Sequence, residues 1–578
     1  MKSYYQNKIK KRIILLLPFF LLWLAGLVYR LVDLQVIHHS RYREIVVDQN
    51  QNIEFIIPKR GTIYDRSGNI LARSLPRPSV FYTPFHSESP TLQLNRIKKL
   101  QSILHLTDSQ IRRIRGQIEK NARFIWIKRK IEPEKAMTIE RLDLNGIHFL
   151  TESKRFYPNG SLAAHILGGV NIDDAGSAGI EHVYNSLLAG EKGEGLILRD
   201  AKRRGYRFET LKDPKPGKDL VLTIEETIQY IAEKELTRAV RDNRAEWGTV
   251  LISQPLSGEI LAIANTPSSD LNYSHPGRNF AIHHTFDPGS TFKIVTASAA
   301  LESNKIQLTD TFDCSLGYTR IAGKTIRDHH RFQILTFPEV IIHSSNVGTI
   351  QISQRLGDRT LYDAISAFGF GSKTGIDLPG EERGIFRAIE DWTTISPASL
   401  SIGYEISVTP IQILQAVNVI ANHGVVIRPH IVKSDSFQND NTGSLRAEPR
   451  RAISTATATE LTHILREAVR EGTGKKAQID GYAVAGKTGT AQILDPQTQR
   501  YSTSEHRSLF VGFIPADNPV LSMVVVIENP QGAFYGGDVA APVFQKIGSQ
   551  VLRYLHIPRR PDAPEPIITA KYWTQPTP

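Results

Sequence analysis

The order of apolar and polar positions divides the chain into segments of different period. Lys2, Lys8, Lys10, Lys11 and Arg12 precede an uncharged run from Ile13 to Tyr29, at the short end of what spans a bilayer. Arg30-Leu31-Val32-Asp33-Leu34 follows without a small-residue cleavage site, so the run reads as an uncleaved anchor over 13–36 rather than a signal peptide. Basic residues on its N-terminal side predict that residues 1–12 are cytoplasmic and that the bulk of the chain lies outside the cytoplasmic membrane. From about 40 to 215, short strand-like runs alternate with turn signals, as in the strand, turn and strand of 58–72 around Ser67-Gly68-Asn69. Between about 91 and 140 the period becomes helical and basic, with Asp108-Ser109-Gln110-Ile111-Arg112-Arg113-Ile114 as an example. Asp213-Pro214-Lys215-Pro216-Gly217 reads as a linker.

After the linker, Thr223 to Val240 is predicted helical. Gly248–Ser253 and Gly258–Ala264 are predicted to form a hairpin across Pro255-Leu256-Ser257. A nearly all-apolar helix is expected from Ser290 to Leu301, with Asp287 as N-cap and Pro288 in the first turn. Thr409-Pro410 opens another apolar helix that stops near Gly424. Thr457-x-x-Glu460 reads as a capping box for a helix ending near Gly472. Strands are expected at Tyr482–Ala485, Ser508–Ile514 and Val520–Ile527, and a proline-rich, disordered tail at 557–578. This order predicts an α+β chain: an anchor, an N-terminal module at 37–215, and at 216–556 an antiparallel sheet packed against helices.

Composition narrows the chemistry. A single cysteine, Cys314, excludes an internal disulfide and any multi-cysteine metal site. The net charge of +12 is read as a basic surface; with no zinc-finger spacing and no RNA-binding signature, nucleic acid is not an expected partner. The adjacent pairs His283-His284 and His329-His330 lack suitably spaced acidic ligands, and no metal or cofactor is expected.

Three short segments carry the candidate chemistry. Ser290 and Lys293 are three apart at a helix start, so a hydroxyl and an amine share a face at the positive end of the helix dipole, which suits an activated nucleophile. His343-Ser344-Ser345-Asn346 lies between a short helix opened by Thr336-x-Pro338-Glu339 and the helical run Ile350–Leu356. Its loop is expected to point the Ser344 hydroxyl and the Asn346 carboxamide into one cleft. Lys487-Thr488-Gly489-Thr490 is expected at the end of a strand, where small residues let a substrate backbone lie along the edge and Lys487 supplies fixed positive charge. A second Lys-Thr-Gly at Lys373 sits in a glycine-rich turn with no strand leading in, and is set aside.

The triple Ser-x-x-Lys, Ser-x-Asn and Lys-Thr-Gly resembles that of the class B penicillin-binding proteins, the D-alanyl-D-alanine transpeptidases of peptidoglycan. The resemblance extends over Arg60-Gly61-x-Ile63-x-Asp65-Arg66, Arg155-Phe156-Tyr157-Pro158, Ala164-His165-Ile166-Leu167-Gly168, Gly179-Ile180-Glu181 and Tyr535-Gly536-Gly537. Asp287 before Pro288-Gly289-Ser290, and Ser74 after Leu71-Ala72-Arg73, are most similar to the division (FtsI-type) branch. The resemblance implies an elongated, mostly β N-terminal dimerisation or pedestal module and a C-terminal penicillin-binding transpeptidase domain with a helical subdomain. It implies that Ser290 is acylated by a D-Ala-D-Ala stem peptide, that Lys293 takes the serine proton, and that Ser344 relays one. Burial and the charge of Lys487 would keep Lys293 neutral. Asn346 would hold the substrate backbone or the Lys293 amine. Lys487, Thr488, Gly489 and Thr490 would bind the terminal carboxylate, with the N–H groups of Ser290 and Thr490 as the oxyanion hole. β-Lactams as inhibitors, a SEDS-type (FtsW-like) glycan polymerase and other divisome membrane proteins are the implied partners. A carboxypeptidase or β-lactamase would use the same motifs with water as acceptor; a non-catalytic scaffold would not need them.

Overall fold

The computed structural model describes residues 2–38, 51–85, 88–120, 122, 124–199, 205–267, 279–433, 448–495, 498 and 500–559. The chain forms two compact units, one of residues 1–60 with 189–218, the other of 61–188 with 219–578. The first unit opens with helix α1, Lys2–Val32, continued by one π-helical turn, Asp33–Ile37. Its stretch Ile14–Ile37 is long and apolar enough to cross a membrane. The same unit holds a three-stranded antiparallel sheet with Gly193–Arg199 between Gln51–Ile56 and Gly205–Lys212. The predicted tail lies outside the described residues from position 560 onward.

In the second unit, Ile63–Tyr64 and Ile70–Tyr82 form the predicted strands, joined by a turn in which Gly68 has φ +91°. Ile70–Tyr82 pairs with Ile125–Lys128 and Ile147–Phe156. The basic segment folds as helices, including Pro90–Lys98 and Asp108–Glu119, whose Ile111, Ile114 and Ile118 pack with Val80, Tyr82 and Ile125 while the arginines stay outside. Arg155 and Glu181 form an ion pair in this part of the unit (2.5 Å), both side chains essentially without solvent exposure.

Helix α2, Glu226–Asp242, leads into the predicted hairpin, β1 (Trp247–Ser253) and β2 (Ile260–Pro267). Helices α3 (Lys293–Glu302), α4 (Phe337–Ile342), α5 (Asn346–Leu356), α6 (Pro410–Ala421) and α7 (Thr455–Arg470) follow. Strands β3 (Ala485–Asp495), β4 (Arg500–Ile514) and β5 (Leu521–Glu528) and helix α8 (Gly536–Tyr554) complete the unit. The sheet order is β2-β1-β5-β4-β3, antiparallel throughout, with β3 at an edge.

Both faces of this sheet are covered, which explains the continuous apolar runs of β1 and β5. Alternate residues divide between two cores. Val250, Ile252, Met523, Val525 and Ile527 pack under α2 and α8. Leu251, Val524 and Val526 face α3, α6 and α7.

Three boundaries differ from the sequence expectation. The strand predicted at Tyr482–Ala485 begins only at Ala485 and runs on through the Lys-Thr-Gly motif, because pairing with β4 overrides the poor strand propensity of two glycines. Helix α7 starts at Thr455, not Thr457. Its cap is Ser454, whose Oγ accepts from Thr457 N–H (3.2 Å), and the Thr457 hydroxyl donates to Glu302 (2.6 Å). Asp287 caps no helix; its carboxylate accepts from the Tyr501 hydroxyl (2.6 Å).

The Arg155–Glu181 pair gives a direct test. Glu181→Ala strands a guanidinium away from water and is expected to cost about 3–5 kcal/mol, read as a fall in the denaturant midpoint. The paired replacement Arg155→Met with Glu181→Leu is expected to recover most of that loss, since neither charge is then left buried.

Candidate active site

Ser290 lies in a single 3-10 turn, Gly289–Phe292, and Lys293 is the first residue of α3. In a 3-10 turn residues three apart eclipse, so the hydroxyl and the amine lie on one side of the backbone. Ser290 is half-buried and Lys293 fully buried. α3 is apolar on every side because the sheet and the helical subdomain enclose it, and Lys293 enters that core with it.

The turn is seated against β3 at van der Waals distance. A Cβ on Gly489 would lie 2.7 Å from Thr291 Cγ2 and 3.1 Å from Pro288 O. Gly289, at φ +54°, would bring one to 3.0 Å from Thr490 O. Only glycines allow the serine turn and the edge strand to approach this closely. The Lys-Thr-Gly motif therefore sits inside β3 beside Ser290, rather than at the end of a strand.

The second motif closes the other side. α4 has the expected capping box of Thr336 and Glu339 and ends at Ile342. Ser345 caps α5, accepting from Gly348 N–H (3.0 Å), so Asn346 is the first residue of a helix, where a loop was expected. Between the two helices Ser344 adopts φ +61°, a left-handed conformation rare for a non-glycine residue. That turn aims its carbonyl at Lys293. Lys293 Nζ donates to Ser344 O (2.6 Å) and Asn346 Oδ1 (2.7 Å) and lies 3.3 Å from Ser344 Oγ. Three oxygens thus surround the amine, two of them close.

Burial and the charge of Lys487 both push the Lys293 amine far below the usual lysine range, with Asp328 opposing. Lys487 is also fully buried, and burial alone brings it down to about 7. Burial therefore works against the fixed positive charge expected of Lys487. Among the described residues its Nζ reaches Thr488 O, at 3.3 Å. The Thr488 hydroxyl pairs with that of Thr473 (2.6 Å), and Thr490 Oγ1 accepts from Gly536 N–H (3.0 Å).

The rival Lys373 is exposed, in a turn where Thr374 and Gly375 bond to Glu381. His284 packs edge-on to Trp247 (4.7 Å), and His329 edge-on to Tyr535 (5.4 Å).

Sequence reasoning missed Asp328. Its Oδ1 accepts from Asn346 N–H (2.5 Å) and Val347 N–H (3.1 Å), and its Oδ2 from Ser345 Oγ (2.8 Å). An acidic residue after the short strand Lys324–Arg327 was the only available signal. Its contact with the motif spans 18 positions and could not be read from spacing.

A hydroxyl and a buried amine beside a sheet edge, with a second hydroxyl and a second buried amine in the same site, fit an active-site-serine enzyme of the acyl-transfer kind. Residues 248–549 match the penicillin binding protein transpeptidase domain, and residues 55–222 the penicillin-binding protein dimerisation domain. Stage V sporulation protein D of Bacillus subtilis is 34% identical over 93% of this chain and 85% of its own length. Peptidoglycan D,D-transpeptidase FtsI of Escherichia coli is 33% identical over 96% of this chain and 94% of its own. Among solved structures, penicillin binding protein 3 of Mycobacterium tuberculosis complexed with aztreonam is 27% identical, with a TM-score of 0.66, covering 88% of this chain and 98% of that one. The chain belongs to the class B penicillin-binding proteins and is a peptidoglycan D,D-transpeptidase.

The shifted Lys487 carries a stability prediction. Its folded-state value, about 7, lies below the unfolded 10.5, so between those limits the unfolded chain binds more protons and stability rises with pH. Below pH 7 the burial penalty is complete. Lys487→Met is therefore expected to stabilise the fold at pH 6 by up to about 4 kcal/mol, with the gain shrinking steadily from pH 7 to pH 10. Urea midpoints of both proteins across that range check it.

Proposed function

We propose that this transpeptidase crosslinks peptidoglycan stem peptides through an acyl-enzyme on Ser290, and that it does so in septal wall synthesis. The observation that carries the mechanism is the buried Lys293 amine, held by Ser344 O, Ser344 Oγ and Asn346 Oδ1. Ser290 Oγ attacks the carbonyl carbon of the penultimate D-alanine as its proton passes to Lys293 Nζ. The N–H groups of Ser290 and Thr490 hold the oxyanion, where losing one donor costs roughly 10²–10³ in rate. Ser344 delivers a proton to the departing amine of the terminal D-alanine and recovers one from Lys293. An amine of a neighbouring stem peptide then attacks the ester, and the same protons move in reverse.

Lys487, Thr488, Gly489 and Thr490 receive the terminal carboxylate, whose charge would restore the Lys487 ammonium on binding. Extended donor peptide fits a free sheet edge. A β-lactam presents a similar carbonyl and carboxylate; the M. tuberculosis protein complexed with aztreonam supports carrying this inhibitor class over. Residues 37–215 serve as the pedestal module and 216–556 as the transpeptidase domain. The basic residues of α1 that precede its apolar stretch support a cytoplasmic N-terminus and a catalytic domain outside the membrane. The anchor and pedestal suit a SEDS-type, FtsW-like polymerase and other divisome membrane proteins. Asp287 and Ser74, at the positions that resemble the division branch, support septal use over elongation.

Intact-mass analysis with benzylpenicillin tests the nucleophile. A persistent single-drug adduct is expected on wild type and none on Ser290→Ala; an adduct on Ser290→Ala would reject the assignment. An adduct lost within minutes would indicate a hydrolase. Lys487→Ala is expected to slow acylation at least tenfold and Lys373→Ala not at all. The reverse result would transfer the carboxylate site to the exposed turn.

A further inference from the structure

We propose that Asp328, outside the three motifs, is a positioning residue that fixes Ser344 and Asn346 against Lys293 and supplies the negative charge facing the lysine when it takes up the serine proton. This rests on the acyl-enzyme reading above and assigns it a fourth component.

The geometry has three parts. First, the Asp328 carboxylate takes the two leading N–H groups of α5, those of Asn346 and Val347, which no carbonyl within the helix can satisfy. A carboxylate is also the favoured group at that end of the helix dipole. Second, the remaining oxygen takes the Ser345 hydroxyl, whose oxygen caps the same helix, so one side chain locks both the start of α5 and the residue after Ser344. Third, the neighbouring Arg327 carbonyl accepts from Asn346 Nδ2 (2.8 Å), which fixes the amide with its oxygen toward Lys293. The segment is itself held, since Asp328 N–H donates to Gly317 O (3.0 Å).

Without this clamp the C-terminal side of the left-handed Ser344 turn keeps the Ser345 N–H bond to Val340 O (2.9 Å) but loses the carboxylate that holds the start of α5. A displacement of about 1 Å between catalytic groups can cost on the order of 10²-fold in rate. The electrostatic part follows from the surroundings. Lys293 faces Lys487 and Asp328, with His329 on the same loop, and of these only Asp328 favours an ammonium at Lys293. During acylation Lys293 becomes that ammonium, so the charge of Asp328 acts on the transition state more than on the resting cleft.

The test separates position, charge and fold. Full-length wild type, Asp328→Asn and Asp328→Ala, in detergent, are titrated with a fluorescent penicillin to give the fraction acylated, the limiting acylation rate and the binding constant. We expect every variant to reach the wild-type fraction with little change in binding constant. The limiting rate should fall about tenfold in Asp328→Asn, which keeps an acceptor for both N–H groups but loses the charge. In Asp328→Ala it should fall about a hundredfold. If Asp328→Ala does not fold, Asp328→Asn alone decides. A wild-type limiting rate in a folded Asp328→Asn or Asp328→Ala overturns the proposal, as does a loss confined to binding. Failure of wild type itself to form an adduct would instead overturn the acyl-enzyme reading.

Discussion

Two amines, Lys293 and Lys487, are withdrawn from water at one cleft, and among the described residues neither forms an ion pair with a carboxylate. Burying an unpaired ammonium is so costly that the group sheds its proton instead. The two charges also repel each other, which disfavours holding both at once, and burial together with the Lys487 charge pushes Lys293 far below the usual lysine range. One enclosure thus lowers the proton affinity of two amines in the same site. The protein sacrifices stability here to obtain reactivity, as is common where function requires strained or desolvated groups.

That enclosure depends on an edge strand that two elements share. An exposed edge invites unwanted pairing. In β3 the edge is occupied beside Gly489 by the serine turn, which only glycine permits. Among the described residues no further strand pairs with that edge. Gly536 closes the far side: a Cβ there would fall 2.2 Å from Leu509 O and 2.3 Å from Gly489 O, while its N–H binds Thr490 Oγ1. The glycines that a propensity argument treats as strand breakers are therefore the residues that let three backbones converge.

The same glycines explain what could and could not be read beforehand. The apolar period of α3 and α6, the β1–β2 hairpin and the Thr336 and Thr409 caps were legible because each depends on neighbours in sequence. The motif strand was placed too early because its stability comes from β4, through pairs such as Lys487 with Val511. Asp287 looked like a cap, yet a tyrosine brought in from β4 claims its carboxylate. The burial of Lys487 was hidden for a related reason: a sequence shows that a lysine is present and not that the fold encloses it. Asp328 was invisible on both grounds.

Polar contacts outside the active site, beginning with Asp65 of the Arg60–Arg66 element, have a physical reason of their own. Asp65 closes its turn by accepting from Ser67 N–H (2.9 Å) and Asn69 N–H (2.7 Å), and its other oxygen takes Glu226 N–H at the start of α2 (3.2 Å). Ser67 donates to Glu225 (2.7 Å), which also accepts from Tyr554 at the end of α8 (2.7 Å). Tyr184 reaches Asp377 (3.1 Å), whose carboxylate takes the N–H groups of Ile431 and Val432 (2.7 and 2.9 Å). Each contact satisfies a polar group buried between residues 61–188 and the transpeptidase fold, and breaking one leaves its partner unsatisfied. Polar groups used this way specify one docking geometry where an apolar seam would tolerate several. The helices α2 and α8 that receive them also form one wall of the catalytic sheet. Residues 61–188 are therefore joined to the frame that carries β3, and the single compact unit they form with the catalytic fold is what these networks require.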